Sequence, residues 1–128
     1  MQKKQVRNRP KNLNLFTIRL PVNAIISIMH RMSGMVLFLV LPLLLWVLSQ
    51  SVQSEASYTA LVGMLQYWLV KLFVIGLSCA FFHHFYAGLR HLAMDVHWMT
   101  SLQKARFSSR LVLCLDALSV TAFAFVIW

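Results

Sequence analysis

The chain has 128 residues, of which 59% are hydrophobic and 12% are charged. Soluble domains carry roughly 25% charged residues, and a chain this short buries too little surface to hide so much apolar area from water. The composition therefore excludes a soluble globule and indicates a protein that lies in lipid. Twelve Lys and Arg against three Asp and Glu give a net charge of +9, which is typical of nucleic-acid binding, of anionic-lipid binding, or of topology signals beside membrane spans.

The chain begins with a polar, basic segment at residues 1–21. The first apolar run, Met32 to Ser54, has no Lys or Arg and no acidic residue. A hydrocarbon core of about 30 Å needs roughly 20 helical residues, so counting back from Trp46 at the outer interface predicts a span at residues 28–48. Pro21 suits the first turn of this helix, and Pro42 would kink the helix without ending it.

The second apolar run, Ala56 to Leu89, is too long for one crossing. Counting back about 20 residues from Arg90 predicts an outer interfacial piece followed by a span at residues 70–90. Lys71 would then reach outward to the interface. The third run predicts a span at residues 110–128.

These runs predict an all-α membrane protein with three transmembrane helices in one domain, residues 1–128. Cys79 and Cys114 lie inside the second and third runs. We expect both to be small core residues, because cysteines within spans indicate neither a disulfide framework nor a metal site.

The basic residues predict the orientation of the helices. Seven of them precede the first run, four lie between the second and third runs, and Lys71 is left over. The stretch Gln50 to Tyr58 has no Lys or Arg and carries Glu55. The positive-inside rule places the N-terminus and the second loop inside, so residues 1–21 are expected to be cytoplasmic. Nucleic-acid binding then loses its support, and the Ser-poor start favours a bacterial inner membrane over an organelle.

Two polar stripes lie at the predicted inner ends of the first two spans. The spacing i, i+3, i+4 and i+7 places on one helical face Ser27, His30, Arg31 and Gly34. The spacing i, i+4, i+7 and i+11 does the same for His84, Gly88, His91 and Asp95. Each residue alone is typical of a membrane interface. Antiparallel neighbours with a short connection pack together, so we expect the two stripes to meet and form one polar pocket.

His84 is the candidate axial ligand of a haem. An imidazole within a span, with a glycine one turn away and basic groups toward the headgroups, suits haem iron. The haem propionates would point to the inner surface, where His30, Arg31 and His91 can pair with them. His83 projects about 100° away around the helix, so it cannot share that iron and is expected to face a partner helix or the lipid boundary. The second axial ligand is either His30 or a histidine of another subunit.

Ser27 and Arg31 form a second candidate site, for a lipid-soluble quinone. A hydroxyl and a guanidinium at the membrane edge can bind a carbonyl oxygen and stabilise negative charge as the quinone is reduced. Arg31 would act electrostatically, because a guanidinium does not deprotonate in proteins. Ser27 alone is equally typical of a hydroxyl bonded to its own helical turn.

In the third span, Asp116 is either functional or paired across the bundle, and the sequence indicates no partner for it.

Together these motifs resemble a known family, the cytochrome b556 membrane-anchor subunit of succinate dehydrogenase, respiratory complex II. The resemblance covers essentially the whole chain. It rests on Arg9-Pro10, on Ser27-Ile28-Met29-His30-Arg31-Met32-Ser33-Gly34, and on His84 with Gly88-Leu89-Arg90-His91 and Asp95. The sequence departs from the family pattern at His97, where a small residue is more common, and at His83, where an aromatic residue is familiar.

The resemblance implies half of a heterodimeric haem-binding bundle, in which a second three-helix anchor subunit shares one haem b. His84 matches the axial ligand, with the other axial histidine expected from the partner. Ser27 and Arg31 match the ubiquinone-site residues, and His30 and His91 match positions near the propionates and the quinone. An iron-sulfur subunit and a flavoprotein subunit would dock on the inner side and pass electrons from succinate to ubiquinone. The chain would not itself oxidise succinate, because it lacks a nucleotide-binding glycine loop for a flavin.

Two other functions compete with this interpretation. The anchor of a fumarate reductase would serve the reverse reaction. A small ion-conducting or assembly membrane protein would use the His/Arg pocket for ions, and it would need polar residues that continue across the bilayer. In this sequence we expect them to stop at the inner third.

Overall fold

The computed structural model describes residues 19–128, so most of the predicted cytoplasmic segment 1–21 lies outside the described residues. Four helices follow one another: α1 Val22–Gln53, α2 Glu55–Met64, α3 Trp68–Asp95 and α4 Leu102–Ile127. Residues 19–128 contain no β-strand. The predicted all-α fold class is confirmed.

Three of the helices, α1, α3 and α4, are long and apolar enough to cross a membrane. They have 32, 28 and 26 residues, which corresponds to about 48, 42 and 39 Å at 1.5 Å per residue. Because a hydrocarbon core is about 30 Å thick, each helix extends beyond it into the headgroup region. The three predicted spans lie within these helices, except for Trp128, which follows the end of α4.

The short helix α2 connects α1 to α3. It begins after Ser54, and a capping box joins Ser54 and Ser57 through two 3.1 Å hydrogen bonds between backbone N–H groups and hydroxyls. The chain turns at residues 65–67 and then continues as α3. The second apolar run is thus divided between α2 and α3.

Two prolines mark α1 without interrupting it. Pro21 is the N-cap residue, and Pro42 lies inside the continuous helix.

At the other end of the bundle from Pro21, Lys71 Nζ donates to the Trp128 carbonyl at 3.1 Å and lies 5.7 Å from the indole centroid. This hydrogen bond and cation–π contact join the beginning of α3 to the end of α4.

The central helix of the bundle is α3, since its contacts with α1 and with α4 are much more extensive than the contact between α1 and α4. The buried hydrophobic core is small and consists mainly of Ile26, Ala87 and Val112. Large apolar side chains instead point outward: Phe38 is 73% exposed and Phe125 is 88% exposed. Helices that are apolar all round suit a lipid environment, in which outward-facing hydrophobic groups carry no penalty.

The two cysteines also lie on the exterior of the bundle, and their thiols are free. The expectation that Cys79 and Cys114 belong to the core is therefore wrong. In lipid, burial follows close helix approach and not hydrophobicity, so the small interior positions are taken by residues such as Ala87 and Ser109.

Candidate functional site

Three histidine rings meet at the inner ends of α1 and α3, and we call His30, His84 and His91 the histidine cluster. The rings of His30 and His84 stack with centroids 4.3 Å apart and planes 6° apart. His91 lies 5.1 Å from His30 with its ring tilted by 55°. The two polar stripes therefore meet, as their spacing predicts.

Glycines make this close approach possible. A Cβ added to Gly34 on α1 would lie 2.8 Å from Cε1 of His84, closer than real Cβ contacts. A Cβ added to Gly88 on α3 would lie 3.4 Å from Nε2 of His30. Each helix thus presents a bare backbone to an imidazole of the other, and Gly34 gives the tighter of the two contacts.

The hydrogen bonds of His84 determine which ring nitrogen is open. Its Nδ1 lies 3.2 Å from the carbonyl oxygen of His30. A carbonyl oxygen can only accept, so in the neutral imidazole Nδ1 carries the proton and Nε2 keeps its lone pair. The Ser33 hydroxyl donates to the same carbonyl at 2.9 Å and lies 3.4 Å from Nδ1. A histidine with one ring N–H donated to a backbone carbonyl has the arrangement found in most metal-ligating histidines.

His83 has the opposite surroundings, although it precedes His84 directly. Only 3% of it is exposed. Its Nδ1 lies 2.6 Å from Oδ2 of Asp116 on α4, and its Nε2 lies 3.5 Å from the carbonyl oxygen of Ile26 on α1. Both ring nitrogens face oxygen atoms of this chain, so neither is open to a ligand. His83 faces a partner helix, one of the two surroundings predicted for it, and it is the partner of Asp116 that the sequence did not name.

A second polar interface therefore runs between α3 and α4. Beside the His83–Asp116 pair, the hydroxyls of Tyr86 and Ser119 lie 2.9 Å apart. Asp116 lies about 21 Å and Ser119 about 26 Å from the start of α4, at 1.5 Å per residue. These deeper groups pair with one another, and so they brace two helices.

Sequence reasoning also missed the role of Arg90. Its position between the second and third runs predicts a charge at the inner membrane flank, but Arg90 is only 7% exposed and its Nε donates to the Ser108 hydroxyl at 3.1 Å. Next to it, the Ser109 hydroxyl donates to Oδ1 of Asn23 at 2.8 Å. The signal was present in the spacing, because Arg90 follows His83 by seven residues and shares its interior face of α3.

The predicted quinone residues occupy the inner end of α1. Ser27 is half-buried and Arg31 is exposed, and their spacing of four residues makes them neighbours on the helix surface. On α3, Asp95 is exposed at the last turn. His97 is exposed in the connection to α4, where its φ of 61° is left-handed. Neither side chain belongs to the histidine cluster.

The cluster fits a haem iron better than a metal ion held by this chain alone. Across residues 19–128, no group of three His, Cys, Asp or Glu side chains could hold a metal ion. His84 offers one oriented imidazole with an open Nε2, which is the contribution needed for one axial position. His30 cannot supply the opposite position in this arrangement, because two stacked parallel rings cannot direct their nitrogens at one iron from opposite sides.

The fold and the site together define a multi-pass, all-α membrane protein with a histidine cluster in which Nδ1 of His84 is held by a backbone carbonyl. A family model described as "Succinate dehydrogenase/Fumarate reductase transmembrane subunit" matches residues 5–124. The chain belongs to this family.

Several curated proteins are similar along most of their length. The succinate dehydrogenase cytochrome b556 subunit of Coxiella burnetii is 38% identical over 122 residues, which cover 94% of this chain and 97% of that protein. The subunit of the same name from Paracoccus denitrificans is 34% identical and covers 80% of this chain and 79% of its own. The succinate dehydrogenase cytochrome b560 subunit of Reclinomonas americana is 31% identical, with 94% and 87% covered.

Proposed function

We propose that this chain is the cytochrome b membrane-anchor subunit of a succinate dehydrogenase, located in the bacterial inner membrane with its histidine cluster on the cytoplasmic side. The similar proteins of Coxiella burnetii and Paracoccus denitrificans are both named succinate dehydrogenase cytochrome b556 subunit. The observation that carries the proposal is the state of His84: its Nδ1 is held by the His30 carbonyl while Nε2 is left open. A plain membrane anchor needs no imidazole prepared in this way.

In this proposal His84 holds haem b through Nε2. His30, Arg31 and His91 lie toward the inner surface, where positive charge and N–H donors would bind the propionates. When bound, the haem would accept and release single electrons. The chain's own contribution is to orient one imidazole, to leave room for it beside Gly34, and to supply hydrogen-bond donors for the haem propionates.

A second anchor subunit would supply the other residue that holds the haem. The stacking of His30 on His84 favours this alternative over a ligand pair from one chain. The outward-facing apolar surface of α1 and α3, with Met35 at 64% and Phe81 at 53% exposure, is available for such a subunit. The iron-sulfur and flavoprotein subunits would then dock on the inner side, and succinate would be oxidised there.

Ser27 and Arg31 contribute to the ubiquinone site. The Ser27 hydroxyl can donate a hydrogen bond to a quinone carbonyl oxygen, and the Arg31 guanidinium can stabilise negative charge that develops on it during reduction. The exposure of Arg31 supports this role, because its side chain is not used inside the bundle. The family description also includes fumarate reductases, and an anchor for that enzyme would use the same residues in the reverse direction.

The proposal is tested by replacing Arg31 with Ala in the assembled complex. We expect the rate of electron transfer from succinate to ubiquinone to fall on the order of 10²-fold, as for loss of one preorganised donor to a developing charge. The rate from succinate to a soluble artificial dye should be unchanged, because the dye takes its electrons before the quinone.

The matched control is Arg110→Ala, which removes an exposed positive charge on the same side of the membrane from α4. This variant should keep both rates. Equal loss in the two variants, or an undiminished ubiquinone rate in Arg31→Ala, would remove Arg31 from the quinone site.

A further inference from the structure

The pair formed by His83 and Asp116 has no part in the proposed haem and quinone sites. It lies in the middle of α3, about 22 Å from the start of the helix and about 18 Å from its end. Both residues are buried, at 3% and 8% exposure, and Oδ1 of Asp116 has no hydrogen-bond partner among the described residues. Buried polar groups in a membrane are costly and are usually functional, so the pair calls for an explanation.

His83 contacts all three long helices. It belongs to α3, donates through Nδ1 to Asp116 of α4, and has the Ile26 carbonyl of α1 near Nε2. The next residue, His84, bonds to the His30 carbonyl of α1. Two consecutive residues of one rigid helix are thus held in directions about 100° apart.

This geometry restricts the rotation of α3 about its own axis. A ring at about 5.5 Å from the helix axis moves by about 2 Å when the helix turns by about 20°. The 2.6 Å contact between His83 and Asp116 does not survive such a movement. Apolar contacts between helices in lipid restrict rotation much less, because a turned helix still meets apolar neighbours.

We infer that Asp116, acting through His83, is a positioning residue that sets the rotation of α3 and thereby the direction in which the His84 ring is presented. The inference rests on the proposed function, in which His84 is the axial ligand. It assigns to Asp116 and His83 a role that requires no contact with the haem.

The test uses the assembled complex and the electron paramagnetic resonance spectrum of its oxidised haem, which responds to the orientation of the axial imidazole planes. The double variant His83→Phe/Asp116→Leu removes both members of the pair together, so no buried charge is left alone. We expect haem to remain bound, with a displaced and broadened low-spin signal. Asp116→Asn keeps an acceptor for His83 and should retain the wild-type signal.

The matched control is Tyr86→Phe/Ser119→Ala, which removes the neighbouring hydrogen bond between the same two helices. It should leave the haem signal unchanged. A wild-type signal in His83→Phe/Asp116→Leu would overturn the inference, as would equal changes in both double variants or a signal in Asp116→Asn that matches the double variant. A complex whose haem signal is unaltered by His84→Gln would instead overturn the proposed function, and this inference with it.

Discussion

The two faces of α3 place the same residue type in opposite environments. On the face toward the histidine cluster, His84 is half-buried, packs against a glycine and keeps one ring nitrogen open. On the interior face, His83 is 3% exposed and has an oxygen atom near each ring nitrogen. One step of about 100° along a helix separates an imidazole available for ligation from one used for bracing.

The difference shows that whether a histidine ring nitrogen is free to bind a ligand depends on the residue that faces the ring. Gly34 lies opposite His84 and leaves space for its ring, whereas Asp116 lies opposite His83 and accepts a hydrogen bond from its Nδ1. Substitutions at Gly34 and Gly88 alter the face toward the histidine cluster, and a substitution at Tyr86 alters the interior face.

The largest effect is expected for Gly34→Ala. The added methyl would lie 2.8 Å from Cε1 of His84, so the ring must move and lose its bond to the His30 carbonyl. Overpacking of this kind costs about 1–3 kcal/mol, and we expect the haem content of the purified complex to fall several-fold. Gly76→Ala is the control, because a Cβ at Gly76 meets nothing within 4 Å. Equal haem contents in the two variants would contradict the role of Gly34.

A smaller effect is expected for Gly88→Ala. Its methyl would lie 3.4 Å from Nε2 of His30, which is close to ordinary contact. His30 should shift by a few tenths of an ångström while His84 keeps its position, so haem content should fall less than twofold. A loss as large as that of Gly34→Ala would show that His30, and not His84, limits haem binding; pyridine haemochrome analysis measures both.

The smallest effect is expected on the interior face, for Tyr86→Phe. The substitution removes the 2.9 Å hydrogen bond to Ser119 and keeps the ring. Hydrogen bonds between membrane helices contribute about 0.6 kcal/mol on average. The midpoint of unfolding of the complex in detergent should therefore fall slightly, with the haem spectrum unchanged. A change in the haem spectrum would mean that the bond between Tyr86 and Ser119, and not only the pair His83–Asp116, positions α3.

Much of the fold could be predicted from the sequence. The apolar runs predict three spans, because about 20 helical residues are needed for one crossing. The run from Ala56 to Leu89 is longer than that and so predicts the break before α3. These inferences succeed because hydrocarbon thickness acts on each segment separately. The histidine cluster was predictable for a related reason, since helical spacing alone places Ser27 to Gly34 and His84 to Asp95 on single faces.

The interior face could not be predicted in the same way. The pairing of His83 with Asp116 depends on the rotation and vertical offset of α3 against α4, which apolar periodicity does not determine when the outside is also apolar. Arg90 was misassigned for a similar reason. Position near a membrane flank predicts topology, but it does not tell an exposed guanidinium from one that donates to Ser108 inside the bundle.

The central claim, that His84 and not its neighbour is prepared to ligate iron, is tested most directly by the same substitution at adjacent positions. The measurement is the reduced-minus-oxidised absorption spectrum of complexes carrying His84→Gln or His83→Gln. The substitution at position 83 leaves the His84 imidazole in the chain, so that complex should keep its b-type bands, whereas glutamine at position 84 should abolish them. Loss of the bands in His83→Gln, with bands retained in His84→Gln, would contradict the claim.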